Sequence, residues 1–438
     1  MNPEFRRQLW LGFSPTRLVV LPLLLLACFA AAFMTASDRP AQALAYTGAA
    51  LFAVLAWGMG TLAAGTSVME ELTDRTWDQQ RMSAMQPWAM TWGKLGGASA
   101  YAWYGGALCL LIAVPAAVIG GHGSQMLQIA LSAILFGLFL QALLMAVNLQ
   151  SLKSRGALAR RGGVWLVVAV LFWGVTPLLG MSRGLTVTWW GQPFYGPNFG
   201  LASMALFAAS ALVAAWRSMA ELLAVRQLPW GWPALALLIT FYISGFAPSH
   251  RMAAFGAVGV STCAALTYLA ILTEPQLRPL WQRVVNRLGA GRWRAALLQM
   301  PRWPFTLLLA GPFALMTAMA LQQPGTLPWP AAEGIKLGSG TYPAIYAASF
   351  VLLMVRDCAL LLFFAFAANN RRAVASFLLL MVVLHGLLPW LVSAADSHFL
   401  LGLFQPLIAT RSVSIIAAAI HATLALALLR WRWRATAS

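Results

Sequence analysis

The sequence predicts an all-α, polytopic membrane protein with about twelve transmembrane helices, and three observations support this prediction. Of the 438 residues, 61% are hydrophobic and only 9% are charged, and the mean hydropathy is +0.74. Such a composition leaves too few polar residues to cover a water-soluble globule. Charge-free windows recur along the chain, and about 20 helical residues are enough to cross the ~30 Å hydrocarbon core of a bilayer. The basic residues are also distributed unevenly between the two sides that these windows define.

Apolar windows, most of them free of charge, place the individual spans. The window 95–152 is long enough for two spans, and the polar sequence GGHGSQ at 120–125 divides it. The first span follows a short basic stretch and has no small-residue cleavage site, so we expect it to be retained. In chain order the predicted spans are 18–36, 46–67, 95–119, 127–149, 163–181, 198–216, 231–247, 253–273, 304–321, 344–368, 373–392 and 408–429.

The basic residues set the orientation of these spans. Most of the 29 lysines and arginines fall on one side when the N-terminus is placed in the cytoplasm, including Arg6, Arg7 and the terminal sequence RWRWR. Cytoplasmic segments of membrane proteins carry such an excess of Lys and Arg. We therefore expect both termini in the cytoplasm. We attribute the net charge of +18 to topology, so it gives no support to nucleic-acid binding.

The predicted spans divide into a first half, residues 1–229, and a second half, residues 230–438, each with six spans. Each half has one long cytoplasmic connection after its second span, which favours an internal duplication. In the second half this connection is 274–303, where apolar residues recur at helical spacing and arginines occupy the rest of the helix. We expect a basic amphipathic helix here, serving either as a membrane-surface anchor or as a docking element for a partner.

The sequence contains no pattern typical of an enzyme. The four cysteines fall in apolar windows, and the five histidines lie apart without the spacing of a metal site. The nearest approach to a phosphate-binding motif, WGKL at 92–95, lacks the glycine-rich lead and the Ser or Thr of a P-loop. We expect no catalytic residue, no bound metal and no cofactor in this chain.

One ionisable pair falls within a predicted span. Arg356 and Asp357 interrupt the apolar sequence SFVLLMVRDCALLLFFAF, and Asp357 is the only carboxylate that the windows place at membrane depth. Buried charges in a bilayer are costly and normally face protein or water. Because consecutive helical residues point about 100° apart, we expect the two side chains to bond to neighbouring spans as well as to each other. They serve either a transport path or a structural contact between helices.

The segment 69–95, MEELTDRTWDQQRMSAMQPWAMTWGKL, collects four of the eleven carboxylates between two apolar windows. We expect Glu70, Glu71 and Asp74 in a water-exposed turn at the head of a short cytoplasmic helix, where negative charge complements the helix dipole. Pro87 interrupts the segment, and the tryptophans that follow it suit re-entry at the membrane interface. Such a helix lies along the membrane surface, where a soluble partner could press on it.

This segment resembles the first cytoplasmic loop of the type-2 ABC exporter permeases. In that family the loop runs from an acidic residue through Gly-Thr and an apolar stretch to Pro and Gly-Lys, and Glu71, Thr76, Pro87, Gly93 and Lys94 fill those positions. Arg75 replaces the glycine before the threonine, and Pro87 comes about three residues late. The resemblance implies a coupling helix that docks on a cytoplasmic ATP-binding subunit, with these contact residues: Glu70, Glu71, Asp74, Thr76, Trp77, Asp78, Arg81, Pro87 and Lys94.

The resemblance further implies a permease subunit, an exporter in the bacterial inner membrane, whose partner subunit binds ATP and Mg²⁺. The pore is formed either by one chain or by a homodimer. Two alternatives stay open, namely an ion-coupled carrier that uses Arg356 and Asp357 and a membrane scaffold without transport. The substrate does not follow from the sequence, although spans poor in polar residues favour a hydrophobic or amphipathic cargo.

Overall fold

A computed structural model shows a predominantly helical chain. Its only sheet among the described residues is one short hairpin. The contacts between helices divide the chain into two compact units, the first formed by Met1–Val187 and Pro193–Gln227 and the second by Thr188–Gln192 and Leu228–Ser438. The structure describes residues 2–36, 38–83, 85–152, 186–225, 227–247, 251–320, 343–367, 372–394, 403 and 411–435.

Within the described residues, nine helices are long and apolar enough to cross a membrane, which indicates a membrane-embedded helical protein. The helices at Gly231–Ser244 and Trp303–Met319 are apolar but shorter. The predicted span 163–181 lies outside the described residues. The count of twelve spans and the division into two six-span halves therefore stay predictions.

The described helices of the first unit are α1 Pro3–Gly12, α2 Pro15–Thr35, α3 Pro40–Phe52, α4 Gly60–Thr73, α5 Trp77–Met82, α6 Pro87–Ala98, α7 Ala100–Ala117, α8 Gly123–Ser151 and α9 Gly196–Leu222. Three apolar cores hold them together. One packs α4, α6, α8 and α9 through residues such as Val68, Met90 and Met145. A second joins α2, α3 and α7 through Leu25, Phe52 and neighbouring side chains. A third joins α8 to α9.

The described helices of the second unit are α10 Gly231–Ser244, α11 Arg251–Thr273, α12 Arg278–Gly289, α13 Trp293–Leu297, α14 Trp303–Ala320, α15 Pro343–Ala365, α16 Ala373–Val382, α17 Leu388–Ala394 and α18 Arg411–Ala435. Two apolar cores hold them together. The side chains of α11, α14 and α15 pack around Cys263, Phe313 and Met354. A second core around Trp303 and Leu361 joins α15 to α16 and α18.

Within the part of the chain that the structure describes, three long helices contain π-helical turns that the sequence pattern does not predict. Ala53–Met59 joins α3 to α4, so that Pro40–Thr73 runs as one helix, and Val383–Leu387 joins α16 to α17. The third, Val118–His122, follows α7 and ends at the break expected between two spans, where Gly121 has a φ of 89°. Glycine adopts that left-handed conformation without steric cost.

The hairpin pairs β1 Thr186–Trp189 with β2 Gln192–Tyr195. Its two-residue turn places both Trp190 and Gly191 at positive φ, as a type I′ turn requires. The Trp190 backbone N–H donates to the Gly245 carbonyl at 2.7 Å, and the Trp190 ring stacks on Phe241. Trp190 in the turn is thus held by one backbone hydrogen bond and one ring contact.

The segment 274–303 contains the helix that its periodicity predicts. Helix α12 begins at Arg278, one residue before Pro279, and α13 follows at Trp293. Val284 is buried on the face of α12 that the apolar pattern points inward. Whether this helix lies on the membrane surface stays a prediction.

Candidate functional site

The predicted coupling segment begins with a sharp turn at the end of α4. The backbone N–H of Thr76 donates to the Glu71 carbonyl at 2.9 Å, and that of Arg75 donates to the Leu72 carbonyl at 3.4 Å. Arg75 has a φ of 58°. These two bonds and the left-handed residue form a Schellman C-cap, in which glycine is the usual left-handed residue. The turn redirects the chain into the short helix α5, and Pro87 then begins α6.

This geometry corrects the expected placement of the acidic residues. Glu70 and Glu71 lie in the last turn of α4 and Asp74 is its C-cap, so they do not stand at the head of a helix. The helix dipole disfavours negative charge there. Among the four acidic residues of the segment 69–95, only Asp78 lies in the first turn of a helix, namely α5. The prediction was wrong because the spanning helix continues about two turns beyond the apolar window that marked its end.

Glu71 is also buried rather than exposed to water, and Lys94 is the reason. The Lys94 side chain is 0% exposed, and its ammonium donates to a Glu4 carboxylate oxygen at 3.1 Å and to the Gln80 amide oxygen at 2.8 Å. It also forms an ion pair with Glu71, and the Trp77 ring lies 5.7 Å from its nitrogen. An ammonium has three N–H donors, and all three find an acceptor here.

A second cation completes this group. Arg7 donates to Glu4 at 2.8 Å and forms an ion pair with Glu71. We call Glu4, Arg7, Glu71, Gln80 and Lys94 the ion cluster. Its two carboxylates and two cations balance, which makes the burial of Glu4, Glu71 and Lys94 tolerable, while the Arg7 side chain is 40% exposed.

The ion cluster fixes the charge state of Glu4. Burial alone would raise the pKa of this carboxyl, but hydrogen bonds from Arg7 and Gln8 and the charge of Lys94 lower its pKa to about 2. The hydrogen bond to Glu4 in turn raises the pKa of Arg7. Both groups are therefore charged throughout the physiological pH range.

Close backbone contact between α1 and α6 brings Glu4 to Lys94. A Cβ added at Gly93 would lie 2.7 Å from the Glu4 Cβ, and one at Gly97 would lie 2.5 Å from the Gln8 Cβ. Glycines four residues apart let two helices approach in this way. Asn2 caps α1 by accepting from the Glu4 N–H at 3.0 Å, and its amide donates to the Ala89 carbonyl of α6.

The remaining residues of the predicted site divide by exposure. Glu70, Asp74, Asp78 and Arg81 are exposed, and Met82 beside them is 80% exposed. We call these five residues the α5 surface. Trp77 is buried, whereas Thr76 and Pro87 are half-buried. The predicted site thus consists of an exposed polar surface and a group of buried residues that support it.

The second unit holds a separate polar cluster within its helices. Arg356 donates from Nε to Asp357 at 2.8 Å, and its two terminal nitrogens lie 3.2 Å from His421 Nδ1 and 3.0 Å from His385 Nε2. The Tyr268 hydroxyl donates to the other Asp357 oxygen at 2.7 Å. The pair bonds internally and to three neighbouring helices, as the sequence predicts. We call these five residues the intramembrane cluster.

Sequence reasoning missed several members of both clusters. Glu4 and Arg7 belong to a basic N-terminal stretch, but their i,i+3 spacing is that of a helical ion pair. The spacing of His385 and His421 indicates no metal site, yet both lie near the middle of long apolar helices. A polar residue at that depth needs a partner, and this signal could have linked them to Arg356.

No group of three His, Cys, Asp or Glu side chains among the described residues is arranged to hold a metal ion. No protein-family model matches the chain, and no curated protein or solved structure is similar enough to match it either.

Proposed function

We propose that the chain is the membrane-spanning subunit of a type-2 ABC exporter, and that the α5 surface docks on a separate ATP-binding subunit. The observation that carries this proposal is that one short loop has an exposed polar face and rests on an ion cluster in which Glu4, Glu71 and Lys94 are buried. A loop that was only solvated would gain nothing from burying Lys94, because desolvating a charge costs several kcal/mol. A loop that receives force from a partner needs such a rigid support beneath it.

The ion cluster explains how a push on α5 would reach the spanning helices. Gln80 of α5 binds Lys94 of α6, and Lys94 binds Glu71 at the end of the long helix Pro40–Thr73. Displacement of α5 would therefore act on α4 and α6 together, and through Glu4 on α1 as well. ATP and Mg²⁺ belong to the partner subunit in this scheme, and this chain binds the bilayer and the partner.

The proposal is tested by charge reversal at Asp74 and Asp78, both of which are exposed. Reversal at Glu71 is less informative, because a lysine there would face Lys94 and Arg7 and disrupt the fold. The tagged chain, purified in mild detergent from its own cells, should retain an ATP-binding-cassette subunit. We expect Asp74→Lys/Asp78→Lys to lower that retention at least about tenfold, since two close charge pairs are each worth more than about 1 kcal/mol.

Asp38→Lys, in the exposed turn between α2 and α3, is the matched control and should retain the subunit. Full transport by the isolated chain, with no nucleotide-binding protein present, would contradict the proposal.

The intramembrane cluster favours one alternative, an ion-coupled carrier. Asp357 and two imidazoles beside Arg356 are groups that could exchange protons near the middle of the membrane. In that case Asp357→Asn would abolish transport, and a protonophore would stop it in the wild type. Under the ATP-driven proposal transport continues after the proton gradient collapses, for as long as ATP is supplied.

A further inference from the structure

The ends of three helices meet at one end of the second unit. Helix α11 ends at Thr273, α14 begins at Trp303, and the indole N–H groups of Trp281 and Trp303 both donate to the Gln276 amide oxygen, at 3.4 and 3.3 Å. Arg278 donates to the Trp433 carbonyl at 2.9 Å, which brings in the end of α18. Helices α11 and α18 are candidates for membrane spans. This end of the unit therefore lies where their apolar stretches end.

The segment between α11 and α14 is packed onto this end rather than loosely attached. Val284 of α12 and Ala296 of α13 are buried, and the Trp281 ring lies 5.6 Å from that of Trp303. Arg287 joins the two short helices by donating to the Ala295 carbonyl at 3.0 Å. The outward-facing side chains of α12 and α13 are thus presented on a fixed support.

These outward-facing side chains include several arginines and a tryptophan. Residues 274–303 and 430–435 contain nine arginines and one carboxylate, Glu274, which is paired with Arg302 at 3.3 Å. Trp293 is 66% exposed and Trp431 is 59% exposed. We call the following exposed residues the arginine–tryptophan surface: Arg283, Arg292, Trp293, Arg294, Arg430 and Trp431.

The composition of this surface indicates the kind of partner that it fits. Exposed indoles next to the ends of membrane spans are typical of the headgroup region of a bilayer, where the ring is half in hydrocarbon and half in water. Arginines at the same level attract anionic lipids, and each contributes about 1 kcal/mol. An acidic protein or a nucleic acid as partner would account for the arginines, but not for exposed tryptophans next to the ends of spanning helices.

We propose that the arginine–tryptophan surface binds the phosphate headgroups of anionic phospholipids. The inference does not depend on the transport proposal, because it rests on the second unit alone. Bound anionic lipid would fix the end of the unit at a defined depth in the membrane.

The test measures lipid binding to the purified, delipidated full chain in detergent by native mass spectrometry. Phosphatidylglycerol is the anionic probe, and phosphatidylcholine with matched acyl chains is the zwitterionic probe. The wild type should bind phosphatidylglycerol at least about tenfold more tightly. Arg283→Gln/Arg292→Gln/Arg294→Gln should lose that preference and leave phosphatidylcholine binding unchanged. The preference should also weaken in 1 M salt, where the Debye length falls to about 3 Å.

Two matched variants separate this role from general loss of charge or of fold. Arg6→Gln/Arg17→Gln/Arg75→Gln removes three exposed arginines of the first unit and should keep the preference. Arg283→Lys/Arg292→Lys/Arg294→Lys should also keep it, because lysine still offers a point charge to a phosphate. If the glutamine triple variant does not fold, the three single glutamine variants are measured instead, and each should lower the preference.

Unchanged phosphatidylglycerol binding by the glutamine variants would overturn the proposal. Loss of an associated protein subunit, with lipid binding intact, would overturn it as well and assign the surface to protein docking.

Discussion

At the scale of single residues, Lys94 carries the most consequential contacts of the first unit. It is completely buried and is bound by Glu4, Glu71 and Gln80. Lys94→Met would keep most of the packing volume but leave two buried carboxylates with only Arg7 as a counter-charge. Breaking a buried ion pair from one side costs about 3–5 kcal/mol.

We therefore expect Lys94→Met to lower the unfolding temperature markedly, measured by thermal unfolding in detergent. Arg81→Met removes an exposed cation from the same segment and is the control, with an expected change within about 0.5 kcal/mol. Equal unfolding temperatures for the two variants would show that the ion cluster contributes no stability.

Glu4 gives the pH dependence of the same cluster. Its pKa is about 2 in the folded chain, below the ordinary glutamate pKa of about 4.3. A carboxylate with a lowered folded pKa stabilises the fold fully above the unfolded pKa, and this stabilisation is lost as the pH falls towards the folded pKa. The stabilisation from Glu4 is therefore constant at neutral pH and declines between pH values of about 4.3 and 2.

Glu4→Gln should consequently unfold at a lower temperature than the wild type at pH 7, and the difference should shrink as the pH falls below about 4.3. Thermal unfolding of both proteins across that range measures it. Asp38→Asn, at an exposed carboxylate, provides the comparison. A difference that stayed constant down to pH 3 would mean that Glu4 acts through packing rather than charge.

At the scale of elements, the turn after α4 contains a residue that its backbone does not favour. Arg75 occupies the left-handed position of the C-cap, with a φ of 58°. A side chain costs about 1 kcal/mol or more in that conformation, whereas glycine adopts it freely.

Arg75→Gly should therefore raise the free energy of unfolding by about 0.5–1 kcal/mol, in spite of the greater freedom of glycine in the unfolded chain. Chemical denaturation of the purified chain measures the change. Arg75→Ala removes the same charge without relieving the backbone and should not stabilise the protein. Stabilisation by both variants would attribute the effect to charge instead.

The sequence predicted an element wherever the residues that define it are neighbours in the chain. The helix at 278–289 followed from apolar periodicity, and the break at Gly121 followed from a polar interruption. The acidic residues at 70–74 were misplaced because hydropathy falls before the helix ends. Glu71 and Lys94 were singled out by motif, but their burial could not be predicted, because Glu4 lies 90 residues from Lys94 in sequence.

The same reasoning explains what was missed in the second unit. The π-helical turn at Val383–Leu387 contains His385, and hydropathy carries no signal for a π-turn. His385 and His421 meet Arg356 only after three helices have packed together. The sequence predicts that Arg356 has polar partners at membrane depth, but it does not predict which residues these are.

At the scale of the whole molecule, we propose that the α5 surface is the contact with an ATP-binding subunit. The first unit provides a fixed support for that surface, whose polar residues are exposed, whereas Lys94 and Glu71 beneath it are buried. Because the proposal concerns a partner, it is tested most directly in cells that contain the partner.

Site-specific photo-cross-linking from Gln79, an exposed residue of α5, is that measurement. We expect Gln79 to cross-link to a protein carrying the ATP-binding-cassette motifs, identified by mass spectrometry, and a probe at Asp38 not to do so. Capture of no such protein from Gln79, or equal capture from Asp38, would show that the α5 surface does not dock on an ATP-binding subunit.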